Sequence, residues 1–381
     1  MEKKPRALMV ASVASMIDQF NMQNIQILLD KGFDVDVACN CKTGNTISND
    51  RVQDMIQRLA KQGVKVTHLP IPRKITDISN IRKSIVELQK MFAEHSYTLM
   101  HCHSPIGSVV ARTVAKNYRK NGIKVIYTAH GFHFYKGAPA INWILFYPIE
   151  RIYSRITDVL ITINKEDFQF AKKHLKAREI RYVPGIGVDT KKFQNIVVDK
   201  AAKRSELGIK DSDFMIISVG ELNKNKNQEI IIRAIALLKQ NNIHYFVAGQ
   251  GSEKEHLMRI AKELNVNLHL LGYRTDIAEL LKIADVYAFP SYREGLSVAL
   301  MEAMASGLPC VVSKIRGNTD LIYPGENGYL CMADDVCAFA NAIKKLYKDE
   351  ILVKRMGDKN YLVMKDYDSG VVSNVMSCIY G

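Results

Sequence analysis

Short apolar runs rich in Val, Ile and Leu alternate with amphipathic stretches along this chain, and the alternation starts afresh half-way. No other feature constrains the fold as much. Strand–helix alternation builds parallel sheets, because a parallel return needs a crossover and the crossover helices cover both sheet faces. The first series places strands at 7–12, 34–38, 65–69, 99–102, 124–128 and 159–162, with helical patterns at 25–31, 53–62 and 78–94. The second places strands at 214–219, 244–248, 268–271, 286–289 and 309–312, with helical patterns at 228–240, 253–264 and 336–347. Between the two lies Pro184-Gly185-Ile186-Gly187-Val188-Asp189, whose proline and two glycines read as a connection between domains. The expected fold class is therefore α/β, with domains over 1–185 and 190–360 and a helical stretch over 361–381. Ligands of open α/β sheets bind beyond the carboxyl ends of the strands, so the residues just after each strand are the ones to inspect.

At 381 residues the chain has room for two to three domains, and its 47% hydrophobic and 24% charged residues are ordinary for a globular protein. The charge is unevenly spread. Residues 1–185 hold 28 Lys and Arg against 15 Asp and Glu, a net +13, whereas residues 186–381 hold 25 against 24, a net +1. A basic domain attracts polyanions: nucleic acid, an anionic bilayer or a phosphorylated substrate. No helix-turn-helix, zinc-finger or RNP pattern accompanies the charge, so nucleic acid is not an expected partner. No run of about 18 uncharged apolar residues is present to span a bilayer, and the apolar run at 7–13 is too brief for a secretory leader. The expected location is cytoplasmic, peripheral at the inner face of the cell membrane. The seven cysteines form no CxxC pair and read as reduced thiols. Cys39-Asn40-Cys41 and His101-Cys102-His103 lack further ligands at metal-site spacing, so neither a metal nor a cofactor is expected.

The strongest local signal is Glu294-Gly295-Leu296-Ser297-Val298-Ala299-Leu300-Met301-Glu302. Its two carboxylates lie eight residues apart, which on a continuous helix would put them near one face. The segment follows a strand ending in Ala288-Phe289-Pro290-Ser291, and residues 295–298 are expected to open a helix whose free N–H groups suit a diphosphate. Alone, the pair also reads as ordinary surface glutamates. Three further loops follow strands of the same series: Gly220-Glu221-Leu222-Asn223-Lys224-Asn225-Lys226-Asn227, Val247-Ala248-Gly249-Gln250-Gly251-Ser252-Glu253 and Leu271-Gly272-Tyr273-Arg274. Lysines on the first suit phosphate neutralisation, and glycines on the second permit close approach of backbone. Each is weak by itself. All four fall on one edge of one sheet.

In the first half, Tyr127-Thr128-Ala129-His130-Gly131-Phe132-His133-Phe134 places His130 at a strand's carboxyl end, and His101-Cys102-His103-Ser104-Pro105 follows another strand. The segment 138–153 holds the only tryptophan, several aromatics and Arg151. It reads equally as a helix packed on the sheet or as one resting on anionic lipid.

Taken together, these residues resemble the family-4 retaining glycosyltransferases of the GT-B fold, over nearly the whole chain and most closely at 215–330. Glu294 and Glu302 with Pro290-Ser291 upstream, the run 303–312, and Gly325-Glu326-Asn327-Gly328-Tyr329-Leu330 carry the likeness. The resemblance implies two facing Rossmann-like domains with a final helix crossing back to the first. It implies that Glu294 holds donor-sugar hydroxyls, that the Gly295, Leu296 and Ser297 backbone holds the diphosphate, and that Glu302 holds the ribose. Lys226, beside Gly220, would neutralise the leaving group. Gly251 would lie near the donor, the Tyr273 and Arg274 backbone near the base, and His130 on the donor sugar. His130, Lys226 and Glu294 are thus the expected catalytic groups, and Ser15, His103 and His133 are expected on the acceptor side. The partners implied are a UDP-sugar and a lipid-linked or oligosaccharide acceptor, with an anionic membrane surface met through the basic first domain. Lys226 and the helix start at Leu296–Ser297 would do the work a metal does elsewhere, so metal independence is expected. Two departures stand out: Glu221 occupies a position where many relatives have arginine, and residues 12–20 lack the glycine-rich loop many relatives carry. The rival readings are a nucleotide-sugar epimerase of the same fold and a non-catalytic basic binding protein. A dinucleotide oxidoreductase is disfavoured, because residues 12–15 lack the GxGxxG turn.

Overall fold

The computed structural model describes residues 4–381. Thirteen strands form among them: β1 Arg6–Val13, β2 Asp34–Asn40, β3 Lys65–His68, β4 Leu99–His103, β5 Lys124–Ala129, β6 Val159–Thr162, β7 Glu179–Tyr182, β8 Phe214–Val219, β9 Ile243–Ala248, β10 Asn267–Gly272, β11 Val286–Phe289, β12 Cys310–Ser313 and β13 Gly328–Cys331. They make two sheets, ordered β3-β2-β1-β4-β5-β6-β7 and β10-β9-β8-β11-β12-β13. Every neighbouring pair is parallel. The continuous apolar runs follow from this arrangement, since helices cover a parallel sheet on both faces. In β1, Leu8 and Val10 enter one core while Ala7, Met9 and Ala11 enter the core on the opposite face.

The chain divides into a first unit, Met1–Ile186 with Val372–Gly381, and a second, Gly187–Val371. At the division Gly187 adopts φ +74°, and a Cβ there would stand 2.7 Å from the Ser369 Cα. The close approach arises because Val188 N bonds to Tyr367 O at 2.9 Å and Ser369 N bonds to Val188 O at 2.9 Å, which zips the outgoing pass to the returning one. The helical stretch expected over 361–381 is interrupted. One helix ends at Met364 and another runs Ser369–Tyr380, because Asp368 is extended between them and accepts from Gly370 N and Thr190 Oγ1. Only residues from Val372 onward belong to the first unit, where Val372, Met376, Ile379 and Tyr380 complete its core.

Residues 14–20, within the segment 12–20 that lacks a glycine-rich loop, form a helix directly after β1. It is fixed by Asp18, which lies 2.7 Å from Arg51 and 2.6 Å from Arg58. The strands β7 and β13 were absent from the sequence-based expectation; each is four residues long and closes an edge of its sheet.

Candidate functional site

Each sheet reverses its strand order once, between β1 and β4 in the first and between β8 and β11 in the second. Loops leaving adjacent strands in opposite directions open a crevice at such a point. In the second unit, residues 220–227 leave β8 and residues 290–297 leave β11. The two loops are bonded to one another: Tyr292 N to Asn225 O at 2.8 Å, Asn225 Nδ2 to Arg293 O at 3.0 Å, and Asn227 Nδ2 to Pro290 O at 3.2 Å. Lys226 Nζ therefore lies 2.8 Å from Glu294 Oε1 and 4.8 Å from the Phe289 ring centroid. Both charged side chains stay about a fifth exposed, at 20% and 18%.

Glycines fit these loops together. A Cβ at Gly249 would stand 1.8 Å from Gly220 O, one at Gly251 2.2 Å from Leu222 O, and one at Gly317 1.9 Å from Gly295 O. The glycine at 251, read from sequence as giving room to a ligand, thus has a nearer cause in loop-on-loop packing.

The helix that follows runs Val298–Ala305, with Ser297 as its N-cap accepting from Leu300 N at 3.3 Å. Glu294 lies outside it, so the shared helix face expected for Glu294 and Glu302 does not exist. The loop and its Lys226 partner place Glu294 instead. The first-turn amides of Val298 and Ala299 have no carbonyl four residues back within the helix. The Glu302 carboxyl, on that helix, makes no hydrogen bond or ion pair among the described residues. Burial pushes its carboxyl up to about 7, against the opposing pull of Lys192. The phenol of buried Tyr287 is also without a partner. Burial first, then Cys310 and Glu302, holds its proton on against the opposing Val219 backbone, with a smaller push from Glu294.

Tyr273 is 67% exposed just beyond β10. The Arg274 guanidinium is committed to Asp276 and Glu206, which leaves only its backbone for a ligand. Glu221 is exposed, and Lys224 lines a depression with Glu229, Glu253 and His256.

In the first unit the histidines do come together. His130 Nε2 lies 3.1 Å from His103 Nδ1, His103 Nε2 lies 3.2 Å from Met9 Sδ, and the His101 and His103 rings are 4.1 Å apart. His101 bonds Thr128 Oγ1 and the Tyr380 hydroxyl, each at 2.8 Å. Burial lowers all three, His130 to about 4, His101 to about 3 and His103 well below its ordinary value, so each is neutral at pH 7. His103, His130, Phe20, Thr128 and Met376 line a cavity of about 30 Å³, room for roughly one water.

The other two residues expected on the acceptor side lie elsewhere. Ser15 is buried, accepts from Thr46 N and holds the 43–46 loop, so its part is structural. His133 stacks on Phe146 and lines a different cavity of about 310 Å³ with Ser12, Met16, Arg73 and Ser104. The latter lies at the β1/β4 reversal.

No group of three His, Cys, Asp or Glu among the described residues is arranged to hold a metal ion. The Asp-x-Asp triplets at 34–36, 211–213 and 366–368 include residues engaged in structure: Asp36 with Arg6 and Tyr97, Asp213 with Lys210 N, Asp368 with Thr190. Three supporting residues escaped the sequence reading: Phe289 beneath Lys226, Tyr287, and buried Arg316, whose Nε donates to Glu294 O at 3.3 Å. Arg316 stands three residues past β12, on the same sheet edge, and that position was the available signal.

Residues 199–363 match the model of the glycosyl transferases group 1 family, and residues 9–164 that of the glycosyl transferase 4-like family. The chain is 33% identical to a Bacillus subtilis (strain 168) protein named as the glycosyltransferase EpsD, over 98% of this chain and 96% of that one. It is 28% identical to the UDP-Gal:alpha-D-GlcNAc-diphosphoundecaprenol alpha-1,3-galactosyltransferase of Escherichia coli, over 89% of this chain and 86% of that one. Its fold is similar to that of Anabaena HepE, solved in complex with UDP, at a TM-score of 0.78 and 17% identity, covering 98% of this chain and 99% of that one.

Proposed function

Since the chain belongs to the group 1 glycosyltransferases, with a 4-like first half, and serves polysaccharide biosynthesis, we propose that it moves a hexose or N-acetylhexosamine from a UDP-sugar to a lipid-diphosphate-linked glycan, with retention and without a metal. The observation that carries this reading is the Lys226–Glu294 pair at the β8/β11 reversal, beside the unpaired amides at the start of the Val298–Ala305 helix. Breaking a glycosyl–phosphate bond builds negative charge on the leaving diphosphate and positive charge at C1. Those amides and Lys226, once it has exchanged Glu294 for the donor, stabilise the leaving oxygens. Glu294 gives up its lysine when the donor enters and takes sugar hydroxyls instead. Glu302 and the Tyr287 phenol, both without partners, receive the ribose. No nucleophile stands beside C1 in this reading. The departing phosphate accepts the acceptor's proton, and attack comes from the face the phosphate leaves.

The donor and acceptor classes are supported by the names of the Escherichia coli relative and of the UDP-bound Anabaena structure. Titration of UDP into the full chain is expected to release heat, and Lys226→Ala to weaken binding by about 1.5–3 kcal/mol, the worth of a charged hydrogen bond. Incubation with UDP-sugar alone is expected to give slow hydrolysis and no epimer. An epimer formed without acceptor would replace this reading with the epimerase one.

The acceptor's lipid brings in the membrane. On the helix Ala140–Ser154, Trp143, Phe146 and Tyr147 pack against the core. Ile141, Ile144, Leu145 and Ile152 are 55%, 67%, 44% and 62% exposed on the opposite face, with Arg151 and Arg155 beside them. The inner face is packed on the core, and the exposed face supports the lipid reading. An apolar stripe flanked by arginines, on a unit of net charge +13, suits the cytoplasmic surface of an anionic bilayer. Co-sedimentation with anionic vesicles is expected to fall with added salt and to be lost in Ile144→Glu. Equal binding to zwitterionic vesicles would count against this surface.

A further inference from the structure

The histidine cluster of the first unit carries an inference about proton placement. Residues 101 and 103 share a face of β4, so both rings turn towards the core that holds Met9. His103 meets a different kind of atom at each ring nitrogen. Its Nε2 faces the Met9 sulfur at 3.2 Å and its Nδ1 faces His130 Nε2 at 3.1 Å. A thioether sulfur carries no proton and can only accept. The contact is attractive only if the His103 Nε2 bears hydrogen. A neutral imidazole has one such hydrogen, so its Nδ1 is then a lone pair. That lone pair must be filled by His130 Nε2–H. His130, neutral in its turn, has its remaining lone pair on Nδ1. That atom has no protein partner among the described residues, and the ring borders the cavity shared with Phe20 and Thr128.

We propose that His103, anchored by the Met9 sulfur, is a positioning residue that locks His130 as its Nε2–H tautomer and presents the Nδ1 lone pair of His130 to a ligand hydroxyl. The assignment deepens the function proposed above and rests on it only for the identity of the ligand. It also sets a preference. An acceptor nitrogen draws a sugar hydroxyl and repels a carboxylate, so a neutral hexose donor is favoured over a hexuronate at this contact. A protonated Nδ1 would reverse that order.

The test begins with the full, ligand-free protein, ¹⁵N-labelled at histidine, by long-range ¹⁵N–¹H correlation at pH 7.5. His130 is expected to show a protonated Nε2 and a bare Nδ1; the opposite tautomer overturns the proposal. His103→Leu removes the lone pair and is expected to give His130 both tautomers. His103→Asn returns an acceptor oxygen near the position of Nδ1 and is expected to restore the Nε2–H form. Met9→Leu, close in volume, serves where His103→Leu does not fold, and is expected to mix the tautomers as well. Turnover supplies the second readout. The preference for UDP-hexose over UDP-hexuronate is expected to fall about tenfold in His103→Leu and to recover in His103→Asn, the worth of about one hydrogen bond. An unchanged preference with mixed tautomers overturns the link to the ligand. A protein that turns over no nucleotide sugar sinks the function, while the tautomer measurement still decides the assignment.

Discussion

Glu302 concentrates the chemistry of the second unit in one carboxyl group. Its ordinary value is 4.5 and burial raises it to about 7. The folded chain therefore binds more protons than the unfolded chain between these values, and the stability tied to Glu302 is present below 4.5 and lost as pH rises through 7. A ribose that bonds to the carboxylate offsets that loss. UDP affinity is thus expected to strengthen about five- to tenfold as pH rises from 6 to 8, the difference between a charged and a neutral hydrogen bond, and to become flat in Glu302→Gln; titration calorimetry at each pH checks it. Arg112 is the corresponding residue for stability in the first unit. Its side chain is fully buried, 3.1 Å from Glu150, with the guanidinium 4.1 Å from the Tyr127 ring centroid, and the Tyr127 hydroxyl donates to the other Glu150 oxygen at 3.0 Å. Arg112→Ala leaves Glu150 buried and unpaired, and denaturant unfolding should show a loss of about 3–5 kcal/mol. Replacing both partners with apolar residues should recover most of it.

Among the elements, the loops of the second unit are fitted by contacts between backbones rather than between side chains. Gly251→Ala should therefore cost about 1–3 kcal/mol through overpacking against Leu222, and should weaken UDP binding by displacing the 220–227 loop. Calorimetry and denaturation on the same variant separate the two effects. What the sequence could disclose differed by element for physical reasons. The helix Ile78–Glu94 was readable to the residue, because a long amphipathic period has few alternatives. β7 and β13 were not, because four residues at a sheet edge carry little periodicity. Lys226, Glu294 and Glu302 were legible as residues, but the supposed face joining two of them was not real: Glu294 stands before the helix and is placed by a lysine 68 positions away in sequence. Ser15 shows a different limit. A serine after a strand also serves to hold a neighbouring loop, and only the contact with Thr46 distinguishes that part from ligand binding.

For the molecule as a whole, acid is expected to act first through imidazoles. His101, His103 and His130 are held below their ordinary value by burial, and His244 and His269 of the second unit are lowered in the same direction. Between about pH 4 and 6.5 the unfolded chain holds protons that the folded chain does not. For His130 and His101 the stability tied to the neutral ring is complete above about 6.5 and falls as pH drops towards about 4 and about 3, by on the order of 1.4 kcal/mol per pH unit for each. Thermal unfolding from pH 7.5 to 4.5 should follow that slope, and it should be shallower in His103→Asn. The place of Tyr380 in the first core has a consequence for biosynthesis. Residues that seal the amino-terminal sheet leave the ribosome only after the entire 187–371 unit has been made. The nascent first unit must wait with a seam open around His101 until the last ten residues are made, so it cannot finish ahead of its successor's synthesis.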